Sequence, residues 1–161
     1  MEFAGRRVGK LLPDRATNPE SAPDLPVLLS GDVVVTLSSV GLLTSVLGRL
    51  SRSVAGSARF SLDRFSDLYL VADAISAHAR ATAANARISF AIKAADRRLE
   101  LTAGPFRPGS GALLQADSGS GRPRSLLAML ADEVAIEPAG AVELLHVVVA
   151  DRSRDPISHS C

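Results

Sequence analysis

The chain predicts an α/β fold: a two-layer α/β sandwich in which a mixed, mostly antiparallel sheet carries its helices on one face. Three observations lead there. The apolar period changes from helical to alternating at about Asn85, two pairs of alternating runs are each joined by a short turn, and the helical stretches carry a single apolar stripe.

The elements follow in order. DVVVTLS at 32–38 reads as a strand, and Ser38 or Ser39 caps a helix whose Val40, Leu43, Val46 or Leu47, Leu50 and Val54 recur at helical spacing, with Gly56 as its stop. A second helix opens near Ser61, whose hydroxyl accepts orphan amides of the first turn, while Asp63 suits the positive end of the dipole. Its core stripe is Phe65, Leu68, Ala72, Ile75 and Ala79, and Tyr69, Asp73, Ala77 and Arg80 fall together on a neighbouring face. Ile88, Phe90 and Ile92 are then answered by Leu99, Leu101 and Ala103 across a turn at 94–97, which predicts an antiparallel hairpin.

LTAGPFRPGSGALLQAD, 101–117, breaks a strand-like run with two prolines and three glycines before a helical pattern resumes. Strand, glycine loop and helix start form the shape of a phosphate cradle. A helix of about ten residues is predicted over 124–132, and strands over 133–137 and 142–149 turn at Pro138–Gly140. Glu100, Thr102 and His146 alternate with apolar neighbours, as in a sheet with one wet face.

Composition bounds the function. The chain has 161 residues, enough for one domain, and is 47% hydrophobic with five Phe, one Tyr and no Trp, so its core is aliphatic. A formal charge of +1 sets up no field to gather nucleic acid or anionic lipid. Sixteen arginines against two lysines read as base-composition bias rather than selection for phosphate. The single cysteine, Cys161, excludes a disulfide framework, and His78, His146 and His159 lack zinc spacing. No apolar run approaches the ~20 residues of a membrane span, and the start lacks a secretory h-region, so a cytoplasmic protein is expected. Residues 1–28 read as a flexible arm, 31–152 as the folded domain and 153–161 as a flexible tail.

RFSDLYLVADAISAHARA followed by a hairpin, GPFRPGSG, and SLLAMLADEVAIE resembles the anti-sigma-factor serine kinases. These belong to the GHKL superfamily of histidine kinase-like ATPases, with the Bergerat sandwich. The resemblance covers roughly 31–152 and implies a site for ATP and magnesium. In that family the second long helix carries an acidic residue and, four positions on, a magnesium-binding asparagine; the matching pair here is Asp73 and Ala77. Alanine has no oxygen for a hard cation. Asp73 remains the candidate catalytic base, its plainer role being an exposed helix acid paired with Arg80. His78, one residue beyond the missing asparagine, is a weak substitute as a metal ligand.

The family's next element is an Asp-x-Gly-x-Gly box whose aspartate reads adenine. Between Leu99 and Gly111 the only carboxylate is Glu100, which alternation places within the strand. What remains of the ATP site is Gly104, Arg107, Gly109, Ser110 and Gly111, with Gly121 beside Gly119 in the lid. Two prolines in the loop remove amide donors, and Pro123 and Arg124 stand where small residues approach the triphosphate. No cofactor is therefore expected, since the family's contacts to ATP and magnesium are missing.

The resemblance then implies a regulatory protein akin to anti-sigma factors, acting by protein contact in transcriptional partner switching. Its partner would be a sigma factor or an anti-sigma-factor antagonist, without direct nucleic-acid or membrane binding, and homodimers are frequent among relatives. The surfaces in view are the exposed side of the first helix, loop 104–111 with Phe106 and Arg107 as an anchor pair, and the N-terminal arm. Two alternatives stand beside it: an ATP-binding serine/threonine kinase that phosphorylates such an antagonist, and a non-catalytic α/β module that binds another ligand.

Overall fold

Alternation of apolar and polar side chains decides which way each strand faces. In the computed structural model, which describes Leu29 and residues 31–116 and 125–151, five strands form one sheet: β1 (Val33–Leu37), β2 (Ile88–Ala95), β3 (Arg98–Phe106), β4 (Glu133–Ala139) and β5 (Val142–Ala150). Their order is β1-β2-β3-β5-β4. The arm, the tail, Gly119, Gly121, Pro123 and Arg124 lie outside the described residues. Phe90 pairs with Ala103, Ile92 with Leu101, and Leu101 in turn with Val147, so the apolar members of each strand share one face. A one-residue slip would turn every one of them to the other side.

Each strand pair runs antiparallel, where a mixed sheet was expected. For β1 and β2 the reason lies in the long connection. Helices α1 (Leu43–Ser57) and α2 (Leu62–Thr82) separate β1 from β2. They form an antiparallel pair, with Arg80 reaching Thr44 at one end and Arg52 over the Tyr69 ring towards the other. Two antiparallel helices return the chain to the end of the sheet it left, whereas a parallel neighbour needs a single crossover.

Local chemistry sets the helix ends. A 3-10 turn, Val40–Leu42, precedes α1, and the Ser39 hydroxyl accepts the Gly41 N–H. α1 runs through Gly56, the expected stop, and ends at Ser57 with Ala58 as its C-cap; Arg59 supplies the left-handed residue, with φ 59°. Ser61 caps α2, its Oγ accepting from Arg64 N. Helix α3 (Ser110–Ala116) follows the glycine loop. Helix α4 (Leu126–Leu130) has five residues rather than ten, because Ala131 is extended and the Asp132 N–H is given to the Val148 carbonyl, so the chain has already joined the sheet. Pro138 lies inside β4 rather than in the turn, which an edge strand tolerates because one side of its backbone needs no partner.

The core fills the space between the helices and the inner face of the sheet. Leu43, Leu47, Leu68, Ile75, Phe90, Leu101, Leu145 and Val147 are fully enclosed there. Arg64 of α2 fastens the layers at one end: its guanidinium donates to the Ala150 and Leu130 carbonyls and pairs with Asp67 and Asp132. No helix among the described residues is long and apolar enough to cross a membrane.

Candidate functional site

The glycine loop hangs between the last turns of α2 and the end of β3, and three sets of contacts fix it there. The Arg107 N–H donates to the Thr82 carbonyl at 2.8 Å, and its guanidinium to the Ala81 carbonyl, so Arg107 closes the negative end of α2. The Ala84 N–H donates to the Pro105 carbonyl at 3.0 Å. Gly104 is buried against β5, and a Cβ there would stand 2.5 Å from a Leu144 methyl. Gly104 and Arg107 thus serve the packing of the loop.

Beyond them the chain turns, and Gly109, Ser110 and Gly111 point their donors at a common spot, as an anion nest does. A carboxylate of the protein already fills it. Glu143 of β5 accepts the Gly109 N–H at 2.8 Å on one oxygen, and the Ser110 hydroxyl at 2.7 Å and the Gly111 N–H at 3.3 Å on the other. The Gly109 N–H above all, with the Ser110 hydroxyl, holds the Glu143 carboxyl below its ordinary 4.5. A phosphate brought to these donors would meet a resident negative charge.

Glu143 escaped the sequence reading because it lies some thirty residues from the loop. A signal was present: Glu143, Leu145, Val147 and Val149 alternate onto the same face as the core, and an acid at the end of such a row calls for donors.

On α2 the candidate residues divide by exposure. Asp73 and Ala77 both face solvent, and Asp73 has no ion pair among the described residues. The plainer role of Asp73, a pair with Arg80, gives way to another bond: Arg80 reaches across to the Thr44 hydroxyl at 3.3 Å, drawn to α1 rather than along its own helix. His78, by contrast, is 8% exposed, its ring edge-on to Phe106 at 5.0 Å. Its Nε2 has no hydrogen-bond partner among the described residues. Burial pushes the imidazole below its ordinary 6.5, and the charge of Glu143 opposes this in part. No group of three or more metal-ligating side chains occurs among the described residues.

Phe106 is fully buried in the core, so it cannot anchor a partner alongside Arg107. Glu100 lies within β3 and accepts from Arg98 Nε at 3.0 Å, which holds its carboxyl below the usual value. An open cleft of about 530 Å³ sits at the opposite end of the sheet, lined by Ser57–Arg59 and Ala94–Asp96. It contains none of the residues carried over from the ATP site.

The outer surface of the helical layer has a different character. Tyr69 and Leu70 are exposed there beside Asp73, Arg52 lies over the Tyr69 ring at 5.8 Å, and Leu62 and Leu42 are exposed towards the two ends of the helix pair. Aromatic, aliphatic and arginine side chains together are the composition of binding hot spots. No protein-family model matches the chain, and no curated protein matches it.

Proposed function

We propose that this protein is a non-catalytic regulatory domain that works by binding another protein, in the manner of an anti-sigma factor with a degenerate nucleotide site. One observation carries the reading: the loop donors that would cradle a phosphate are engaged by Glu143. The alanine at position 77 adds to it, since a magnesium ion bridging a triphosphate needs oxygen ligands from the protein or from water held by it. The residues present do not suit ATP and magnesium. Regulation by partner exchange needs only complementary surfaces, which a fold retains after its ligand site decays.

The contact surface in this reading is the exposed ridge of Tyr69, Leu70 and Asp73 on α2, with Arg52 of α1 over the Tyr69 ring. The protein would act in the cytoplasm, on a sigma factor or on the antagonist that frees one. The test is capture of purified sigma factors and antagonists on the immobilised chain, with and without ATP. Association independent of ATP and abolished by Tyr69→Glu supports the reading; retention by Tyr69→Glu, or association only when ATP is added, contradicts it.

A further inference from the structure

The outer face of the α1–α2 pair carries opposite charges on its two helices. On α1 the exposed residues Ser45, Arg49, Arg52, Ser53 and Gly56 recur at helical spacing as one stripe, and the helix contains no acidic residue. The matching stripe of α2 is Ser66, Tyr69, Leu70, Asp73 and Ala77, with its acid near the middle and Asp63 adding another in the first turn. Arg80, further along, is drawn to Thr44. Neither Arg49 nor Asp73 has an ion pair among the described residues.

Contacts between the helices fix how far along each charge sits. Thr44 meets Arg80, a Cβ at Gly48 would stand 4.0 Å from the Ala72 Cβ, and Arg52 covers the Tyr69 ring. α1 therefore advances as α2 runs back, and Arg49 comes level with Asp73 to within about one turn. Both are exposed and unbridged, so the two charges point out of the layer side by side.

We propose that this face binds a second copy of the chain, about a two-fold axis that lies in the plane of contact, between the helices and parallel to them, so that Arg49 of each copy meets the partner's Asp73. A half-turn about that axis lays α1 of one copy on α2 of the other, antiparallel and at the same level. The contact is isologous, and the ion pair is made twice. An axis across the helices would instead set α1 on α1 and bring arginines together, a juxtaposition of like charge that disfavours it. Tyr69 and Arg52 fall near the centre, where aromatic and guanidinium groups carry most of a contact.

The patch is small. The 15 residues of α1 span ~22 Å and the helix pair is ~20 Å across, so the two copies together bury roughly 900 Å², less than the ~1,200 Å² at which standard interfaces begin. The dimer is accordingly reversible, formed at high protein concentration and weakened by salt. It needs this surface and not the function proposed above. Where both hold, a second copy and a protein partner compete for one ridge.

Sedimentation of the full chain over roughly 5–500 µM, in ~50 mM salt, tests this. The wild type should pass from monomer to dimer with rising concentration. Arg49→Asp and Asp73→Arg, both folded by circular dichroism, should each associate at least about tenfold more weakly alone. An equal mixture of the two should recover to within about threefold of wild type, because each then offers the charge that the other lacks. Three results would overturn the proposal: a wild type that stays monomeric throughout, either variant alone dimerising as well as wild type, or a mixture that stays monomeric while wild type dimerises. Should either variant unfold, salt decides: association should be lost by ~500 mM, and a dimer indifferent to salt contradicts the pairing.

Discussion

The carboxylate of Glu143 accepts the Ser110 hydroxyl at 2.7 Å, joining β5 to the first residue of α3 across the mouth of the glycine loop. The bond turns an anion nest into a structural clasp. Replacing Glu143 with Gln removes the charge and keeps the shape. Because the folded carboxyl is held below 4.5, its stabilising effect is complete above that value and disappears as pH falls through the lower, folded one. Thermal melts should therefore place Glu143→Gln below wild type at pH 7, with the two converging in acid; equal melting temperatures at pH 7 would contradict the clasp.

His78 should act in a separate pH window. Its folded value lies below 6.5, so the unfolded chain takes up a proton first as pH falls, and stability declines from about pH 6.5 downward. In His78→Leu that limb should vanish. At pH 7 the variant should be at least as stable as wild type, because a buried nitrogen with no partner among the described residues is replaced by apolar atoms. Urea titrations at pH 7 and pH 5.5 measure both effects.

Phe106 separates a core role from a contact role. Its side chain is fully buried and meets the His78 ring, so Phe106→Ala should cost about 3–5 kcal/mol in denaturant unfolding. A loss under 1 kcal/mol together with loss of partner binding would return Phe106 to the surface.

How much of this was legible in the sequence depended on the range of the interactions. The hairpin of β2 and β3 was readable because Ile88, Phe90 and Ile92 and their partners obey a period of two, and the turn between them is short. The stripe of α2 was readable too, although Phe65 is only partly buried and Val71, Ser76, His78 and Thr82 join the core. The ends of α1 and α4 were not, since a left-handed Arg59 and an Asp132 bonded to β5 are decided by tertiary contacts. The antiparallel pairing of β1 with β2 follows from the packing of α1 on α2, which no local period reports. At the candidate site, Ala77 could be read directly, whereas the occupant of the loop, Glu143, comes from a strand far along the chain.

Restoring the missing metal ligand alone should achieve nothing. Ala77→Asn would place an amide oxygen one turn from Asp73, but the loop donors would still belong to Glu143 and no carboxylate would face adenine. Magnesium-dependent nucleotide binding should remain undetectable in Ala77→Asn by equilibrium dialysis; its appearance would mean that the clasp yields readily.

The measurement closest to the central claim is a calorimetric titration of the wild-type protein with magnesium-ATP at neutral pH. A loop whose donors are engaged by Glu143 should release no saturable heat up to millimolar nucleotide. Saturable binding at micromolar concentration, weakened by Asp73→Asn, would contradict the account.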